Sequence, residues 1–354
     1  MIAYRDFTAL AAAADAGPPL KVAVVCAAQR DVLMAADEAF KRGWAHPILI
    51  GDPDAIQAEA DAAGLSVNPD QILPAWNEYE AAQHAASLLR AGSTHIAIKG
   101  LIHTDVLLKA LLDPAASLRE PGMRASHVFL ADIPAYPKLL AITDAAVNIA
   151  PDLMAKAAIL QNVIDFMTLI GIKKPKTAVL SAVETVNPLI ASSLDAAALS
   201  VMAQRGQVHC GIVDGPLAFD NAISLKAAEI KGISSAVAGD ADILLVPDLV
   251  SGNILAKNLE YLADARLAGL VLGLRAPVVL PSRADPPEAR LAGLALARLV
   301  VAAKKRKSLT RQHSVFLPEG VSRSSPLPEA LCCPPAENHC HSTNSHIGGP
   351  HAAT

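Results

Sequence analysis

The stretch KVAVVCAAQRDVLMAADEAFKRGWAHPILIG, residues 21–51, decides the fold. It opens on KVAVVC (21–26), a β-branched run apolar on both faces, and closes on a second such run, HPILIG (46–51). Between them, 28–43 spaces its apolar residues at three and four, the period of a helix with one buried face. A strand apolar on both sides needs cover above and below, and a helix joining two of them sets them parallel. The same pattern continues outward. HIAI (95–98), SHVFLA (126–131), TAVLSA (177–182), QVHCGIV (207–213), ADILLVP (241–247), AGLVLG (268–273) and APVVLP (276–281) read as strands. Segments 78–91, 104–113, 151–170, 188–204, 250–263 and 287–303 have helical period. The prediction is an α/β protein whose parallel sheet is covered by helices on each side.

At 354 residues the chain is long enough for two domains of about 150 residues each. Pro134 and Pro137 break helix at 132–138 and mark a boundary. A return crossing near 274–278 would give domains 1–137 plus 278–303, and 138–277. From Lys304 the periodicity stops and Pro, Ser, His and Cys accumulate, so 304–354 is predicted to be a disordered tail.

Apolar residues at 52% and charged ones at 18% exclude disorder for the rest. A net charge of −4, with no basic stripe before residue 304, argues against a nucleic-acid partner. Charges interrupt every apolar run before the roughly 20 residues a spanning helix needs. The amino-terminal stretch has no cationic region ahead of an apolar one. A cytoplasmic protein without a membrane partner is expected. Cys26 and Cys210 are too few for a disulfide framework and read as free thiols. In the tail, His339-Cys340-His341 lacks the ordered spacing of a zinc site, and no metal is expected.

Phosphate-cradling G-x-G-x-x-G and G-x-x-x-x-G-K-[ST] loops are absent, as are G-x-S-x-G and H-E-x-x-H. An anion site must then rely on side chains and helix N-termini. Ligands of parallel sheets bind beyond the carboxyl ends of strands, which directs attention to the polar residues closing each apolar run. Lys99 and Arg283 supply cations suited to a phosphate-bearing ligand. Thr104, Ser126, Ser282 and Asn253 supply neutral hydrogen bonds, and Asp144 and Asp285 carboxylates able to take a proton. This equipment suits group transfer on an anionic substrate without a metal.

The sequence resembles the phosphate acetyltransferase/phosphate butyryltransferase family over residues 5–303. The resemblance is carried by IKGLIHTDVLL (98–108), GMRASHVF (122–129), PAYPKLLAITDAAVNIAPDL (134–153), LSAVETVNP (180–188), DGPLAFDNAIS (214–224), VAGDADILLVPDLVSGNILAK (237–257) and LPSRAD (280–285). It is closer to the butyryl-type branch and to the transferase part of hydratase-fused relatives. The resemblance implies two α/β/α domains with a cleft between them, in an isocitrate/isopropylmalate dehydrogenase-like fold. It also implies a homodimer or larger homo-oligomer. The implied reaction is direct transfer of an acetyl or short-chain acyl group between coenzyme A and inorganic phosphate. Coenzyme A is a substrate there, with no permanently bound cofactor. Carried over, Ser282-Arg283 is the active-site dipeptide, with Arg283 on phosphate and on the developing oxyanion. Asp285 is the base on the thiol, and Asp144 its alternative. Lys99, Thr104, Arg124, Ser126, His127, Asn253 and Lys257 are substrate-binding.

Asp285 has a second reading. Asp285-Pro286-Pro287-Glu288 also spells an N-cap, a first-turn proline and a capping-box glutamate. Two other functions compete with acyl transfer: a CoA-ester-binding protein without chemistry, and a metal- and NAD-dependent decarboxylating dehydrogenase of the same fold. The second would need an aspartate cluster for its metal, which the strand ends do not offer.

Overall fold

The computed structural model describes residues 6–313, with side chains through Arg306. The chain runs α1 (Phe7–Ala14), β1 (Leu20–Val25), α2 (Arg30–Lys41), β2 (Ala45–Gly51), α3 (Pro53–Ala62), β3 (Ile72–Pro74), α4 (Glu78–Arg90) and β4 (Ile96–Lys99). It continues α5 (Thr104–Leu112), β5 (Ser126–Asp132), β6 (Leu140–Thr143), α6 (Leu153–Leu169), β7 (Lys176–Leu180), α7 (Ala191–Gln204) and β8 (Ile212–Leu217). It ends α8 (Phe219–Ile223), α9 (Leu225–Ile230), β9 (Ile243–Leu245), α10 (Leu249–Leu262), β10 (Arg266–Leu272), β11 (Val278–Val279) and α11 (Pro287–His313). Among the described residues, 6–309 belong to one compact unit.

All eleven strands join one sheet, in the order β3-β2-β1-β4-β11-β10-β5-β6-β9-β7-β8. The expectation of a wholly parallel sheet needs correction. β3-β2-β1-β4-β11 and β6-β9-β7-β8 are parallel groups, but β10 runs antiparallel to β11 and β5, and β5 antiparallel to β6. The cause is connection length. Only residues 133–139 separate β5 from β6, and only 273–277 separate β10 from β11. Neither link is long enough for a parallel crossover. After 273–277, β11 pairs parallel with β4 through Val278↔Ala97 and Val279↔Ile98.

Two further differences have local causes. The run 207–213 is strand only from Ile212. Cys210 takes φ 65°, and a Cβ on Gly211 would stand 2.8 Å from Ile164 Cδ1, so the chain turns there before it can pair. The helix expected to stop at 303 continues to His313, so chain order does not end at Lys304. Lys304 is anchored by its ammonium, which bonds Glu120 Oε1 (3.0 Å) and the Leu274 carbonyl (2.8 Å). The expected tail from 314 onward, with its histidine and cysteine cluster, lies outside the described residues.

Alternation along β10 sorts the helices onto the two faces. Ala268 and Leu270 join the core formed with α2, α6 and α11. Leu267 and Val271 face the other way, onto α10 and onto α4 and α5 respectively. Each fully buried leucine there contributes about 2 kcal/mol. Helices α5 and α10 thus share one face, flanking the β11-β10-β5 junction. Among the described residues, no helix is long and apolar enough to cross a membrane.

The three antiparallel steps between β11 and β6 reverse strand direction. The carboxyl ends of β1, β4 and β11 therefore share one edge of the sheet, and those of β6 and β9 lie at the opposite edge. Helix α10 starts at the second edge, where Asp248 and Ser251 form a reciprocal capping box. It then runs back along the sheet toward the first.

Candidate active site

The first edge gathers the residues that bear charge. β1 and β4 approach so closely at their ends that Gly100 donates to the Val25 carbonyl (2.8 Å). A Cβ at Gly100 would fall 2.3 Å from the Cys26 carbonyl oxygen, so no side chain fits. Lys99, the last residue of β4, is 3% exposed. Among the described residues its ammonium has no hydrogen-bond or ion-pair partner. Burial, then the positive charges of Arg283 and Arg290, lower its pKa to about 8, while Asp285 and Glu78 oppose them.

β11 leads into the turn Ser282-Arg283-Ala284-Asp285. Asp285 closes that turn on itself: its Oδ2 accepts the Ser282 N–H (2.7 Å), and its own N–H reaches the Ser282 carbonyl (3.2 Å). Helix α11 then begins at Pro287. The carboxylate serves the turn rather than the helix, which removes the N-cap reading of Asp285. Its Oδ1 stands 4.0 Å from Lys257 Nζ, which α10 delivers from the far edge. Lys257 also pairs with Glu260 (2.5 Å). Burial raises the Asp285 pKa, against the Ser282 N–H, Lys257 and Arg290, which lower it.

Arg290 holds this turn against β4. Its guanidinium is 1% exposed and donates to the carbonyls of Lys99 (3.3 Å), Ser282 (3.2 Å) and Arg283 (3.4 Å). One side chain therefore ties Lys99 and Ser282 to the same edge. The Arg283 guanidinium itself is exposed and, among the described residues, unbonded, while its carbonyl also accepts from Gln29 Nε2 (3.1 Å). Thr104 opens α5 close by, half-buried, after an N-cap residue, His103, whose side chain makes no capping bond.

The remaining predicted residues sit at the opposite edge. Asp144 is 3% exposed and accepts five bonds: from the backbone N–H groups of His127, Ala146, Val147 and Asn148, and from Asn148 Nδ2 at 2.6 Å. A carboxylate offers about four lone-pair sites, so Asp144 is saturated as the organiser of its own turn. Ser126 is fully buried and takes a bond from Asn162 Nδ2 (2.9 Å). His127 is fully buried edge-on to Phe129 (4.4 Å), with its pKa lowered to about 4 by burial, so its ring is neutral. Arg124 is exposed and bonds Asn148 Oδ1 (2.9 Å). Asn253, one turn before Lys257 on α10, reaches the Ala145 carbonyl (3.4 Å).

The structure thus brings together Lys99, Ser282, Arg283, Asp285 and Lys257, with Thr104 beside them. It sets Arg124, Ser126, His127, Asp144 and Asn253 apart from these. Sequence reasoning missed Arg290, Gln29 and Glu260. Arg290 alone left a signal: an arginine among the mostly apolar residues of the helical stretch 287–303.

Residues 75–297 match the phosphate acetyl/butaryl transferase family. The chain belongs to this family. It is 46% identical over 306 residues to the phosphate acetyltransferase of Rickettsia felis, covering 86% of this chain and 87% of that one. It is 42% identical over 284 residues to the phosphate butyryltransferase of Clostridium acetobutylicum, covering 80% and 94%. Among solved structures, a branched-chain phosphotransacylase from Enterococcus faecalis V583 aligns with a TM-score of 0.69 at 31% identity, over 80% of this chain and 99% of that one. A 4-hydroxythreonine-4-phosphate dehydrogenase from Salmonella typhimurium aligns with a TM-score of 0.52 at 12% identity, over 80% and 100%. This last likeness concerns the fold alone, and it places the transferase fold beside the dehydrogenase-like one. Among the described residues, no group of three His, Cys, Asp or Glu side chains is arranged to hold a metal ion.

Proposed function

We propose that this enzyme moves an acetyl or short-chain acyl group, such as butyryl, between coenzyme A and inorganic phosphate. Transfer is direct, in a ternary complex, without a metal or a permanently bound cofactor. The observation that carries the reading is the pair Lys99 and Arg283. Two cations close enough for one to lower the other's pKa, neither with a hydrogen-bonding or ion-pairing partner among the described residues, suit a doubly charged anion. A phosphate dianion supplies that charge.

In one direction a phosphate oxygen attacks the thioester carbonyl, and the tetrahedral oxyanion draws on Arg283 and Ser282. The C–S bond then breaks, and the proton displaced from phosphate ends on the thiolate sulfur through Asp285. In reverse, Asp285 takes the thiol proton as sulfur attacks the acyl phosphate. Its raised pKa suits both duties. Lys257, beside Oδ1, steadies the charged form. Thr104 and the N-terminus of α5 add donors for phosphate. Arg124, Ser126, His127, Asp144 and Asn253 stand at the opposite edge of the sheet and take no part in these steps, with Asp144 positioning its turn rather than accepting a substrate proton.

We further infer two domains, 1–137 plus 278–303 and 138–277, following the two parallel strand groups, in a cytoplasmic homo-oligomer. Exposed Leu194 and Val201, seven apart on α7, support a second copy as partner.

The Arg283 series tests the site. Arg283→Ala should lower kcat by about a hundredfold or more with little change in KM for acyl-CoA, since the contact strengthens in the transition state. Arg283→Lys keeps the charge without the fork and retains more activity, and Ser282→Ala loses less than Arg283→Ala. A folded Arg283→Ala enzyme with unchanged turnover would refute the assignment.

A further inference from the structure

Glu78 has no role in any of the steps above, yet its contacts point at them. It is the first residue of α4, where the usual duties of a helix start are already filled by neighbours. Asn77 caps the Glu80 N–H (2.9 Å), and the Glu80 carboxylate reaches back to the Trp76 N–H (2.8 Å). Glu78 instead leaves its own helix and engages the start of α5. Its oxygens lie 2.8 and 2.9 Å from His103 Nδ1, and Oε2 also accepts the His103 backbone N–H at 3.2 Å. His103 is the residue before Thr104, in the four-residue link that leaves Lys99.

That link has two properties of an anion site under construction. The start of α5 has no side-chain cap, so its first-turn N–H groups face outward without an intrahelical acceptor. Lys99, 3% exposed, brings an unpartnered ammonium from the other end of the same link. We propose that Glu78 positions the phosphate subsite: by accepting both His103 donors it fixes the turn between Lys99 and Thr104, so that the Lys99 ammonium and the uncapped start of α5 serve one phosphate. The inference rests on the acyl-transfer reading of this site.

Glu78 acts through charge as well as through geometry. The groups facing Lys99 are Glu78 from α4, Cys26 from the end of β1, Arg283 and Asp285 from the turn after β11, and Arg290 from α11. Cys26, its pKa pushed up to about 11 by burial and by Glu78, stays neutral throughout the working range. Two of the remaining four are cations and two are carboxylates. Asp285 changes protonation in the proposed reaction, whereas Glu78 takes no part in it and adds a smaller pull that favours the protonated Lys99. Neutralising it leaves Lys99 between two guanidinium groups with weaker compensation.

The test is steady-state kinetics from pH 6 to 9.5 on the parent enzyme and on Glu78→Gln, Glu78→Asp and Glu80→Gln. Glu78→Gln should raise the phosphate KM about tenfold, leave the acyl-CoA KM within about twofold, and move the alkaline limb of kcat/KM for phosphate to lower pH by less than about one unit. Glu78→Asp should restore the limb. Glu80→Gln, the same charge change two residues along the helix at a side chain that does not contact His103, should leave both unchanged. A Glu78→Gln enzyme with the parent's phosphate KM and limb, or a limb moved equally by Glu80→Gln, overturns the positioning role and leaves the acyl-transfer reading standing. A parent enzyme that forms no acyl phosphate overturns that reading and this inference with it.

Discussion

Asp285→Asn tests two consequences of one buried carboxylate. In the parent, Oδ2 accepts the Ser282 N–H at 2.7 Å and Oδ1 stands 4.0 Å from Lys257 Nζ. Asparagine keeps an acceptor for Ser282, so the turn retains a hydrogen bond of about 1 kcal/mol. What disappears is the group that exchanges the thiol proton. Positioned proton transfer contributes about 10²–10⁴-fold, so kcat should fall by about a thousandfold while both KM values stay within about threefold.

Stability should move the other way. Burial raises the Asp285 pKa, so the folded chain binds that proton more tightly than the unfolded one. The contribution of the group is complete at pH below the unfolded value and is lost as pH rises through the folded one. Above the folded value the parent therefore holds a buried charge that asparagine does not. The variant should melt higher than the parent at pH 8, with the gap closing toward pH 4. Thermal scans across that range, paired with a thiol-release assay, measure both. Near-parent turnover would refute the proton role, and a gap independent of pH would refute the burial argument.

Arg290→Met keeps the length of the side chain and removes the donors of three carbonyls. It should destabilise the fold by about 3–5 kcal/mol and lower Tm by roughly 10 °C in calorimetry; a shift under about 3 °C would mean that the Ser282 turn is held by other contacts. Lys99 is charged below its pKa of about 8 and neutral above it. The phosphate KM should accordingly rise between pH 8 and 9, and Lys99→Met should raise it at all pH values and flatten this dependence; a Lys99→Met profile that still bends at pH 8 would move the titration elsewhere.

The layered α/β fold was legible because its signals are local. KVAVVC and HPILIG are apolar on both faces over six residues each, and the helices at 78–91, 104–113 and 250–263 carry helical period over more than two turns. Strand direction was not legible. Whether β5 pairs parallel or antiparallel with β6 is settled by the short path from Asp132 to Leu140, which an apolar pattern does not encode. That reversal also explains why the strand-end residues, alike in sequence, divide between two edges. Lys99, Ser282, Arg283 and Asp285 were legible as polar endings of apolar runs. Lys257 joins them because α10 runs back along the sheet for about two turns before reaching it, a relation between distant segments. Arg290 was not legible as part of the site because its partners are backbone carbonyls, which have no sequence signature. The capping reading of Asp285 failed for a related reason: the carboxylate turns back three residues to Ser282 instead of forward into α11.

The central claim is that acyl transfer to phosphate and release of coenzyme A are one event. Its most direct test is to incubate the enzyme with butyryl-CoA or acetyl-CoA and phosphate, and to quantify free thiol and hydroxylamine-trapped acyl phosphate in the same samples. The account predicts one acyl hydroxamate per thiol, dependent on phosphate and unchanged by a chelator. Thiol release without acyl phosphate, or at the same rate when phosphate is omitted, would contradict it.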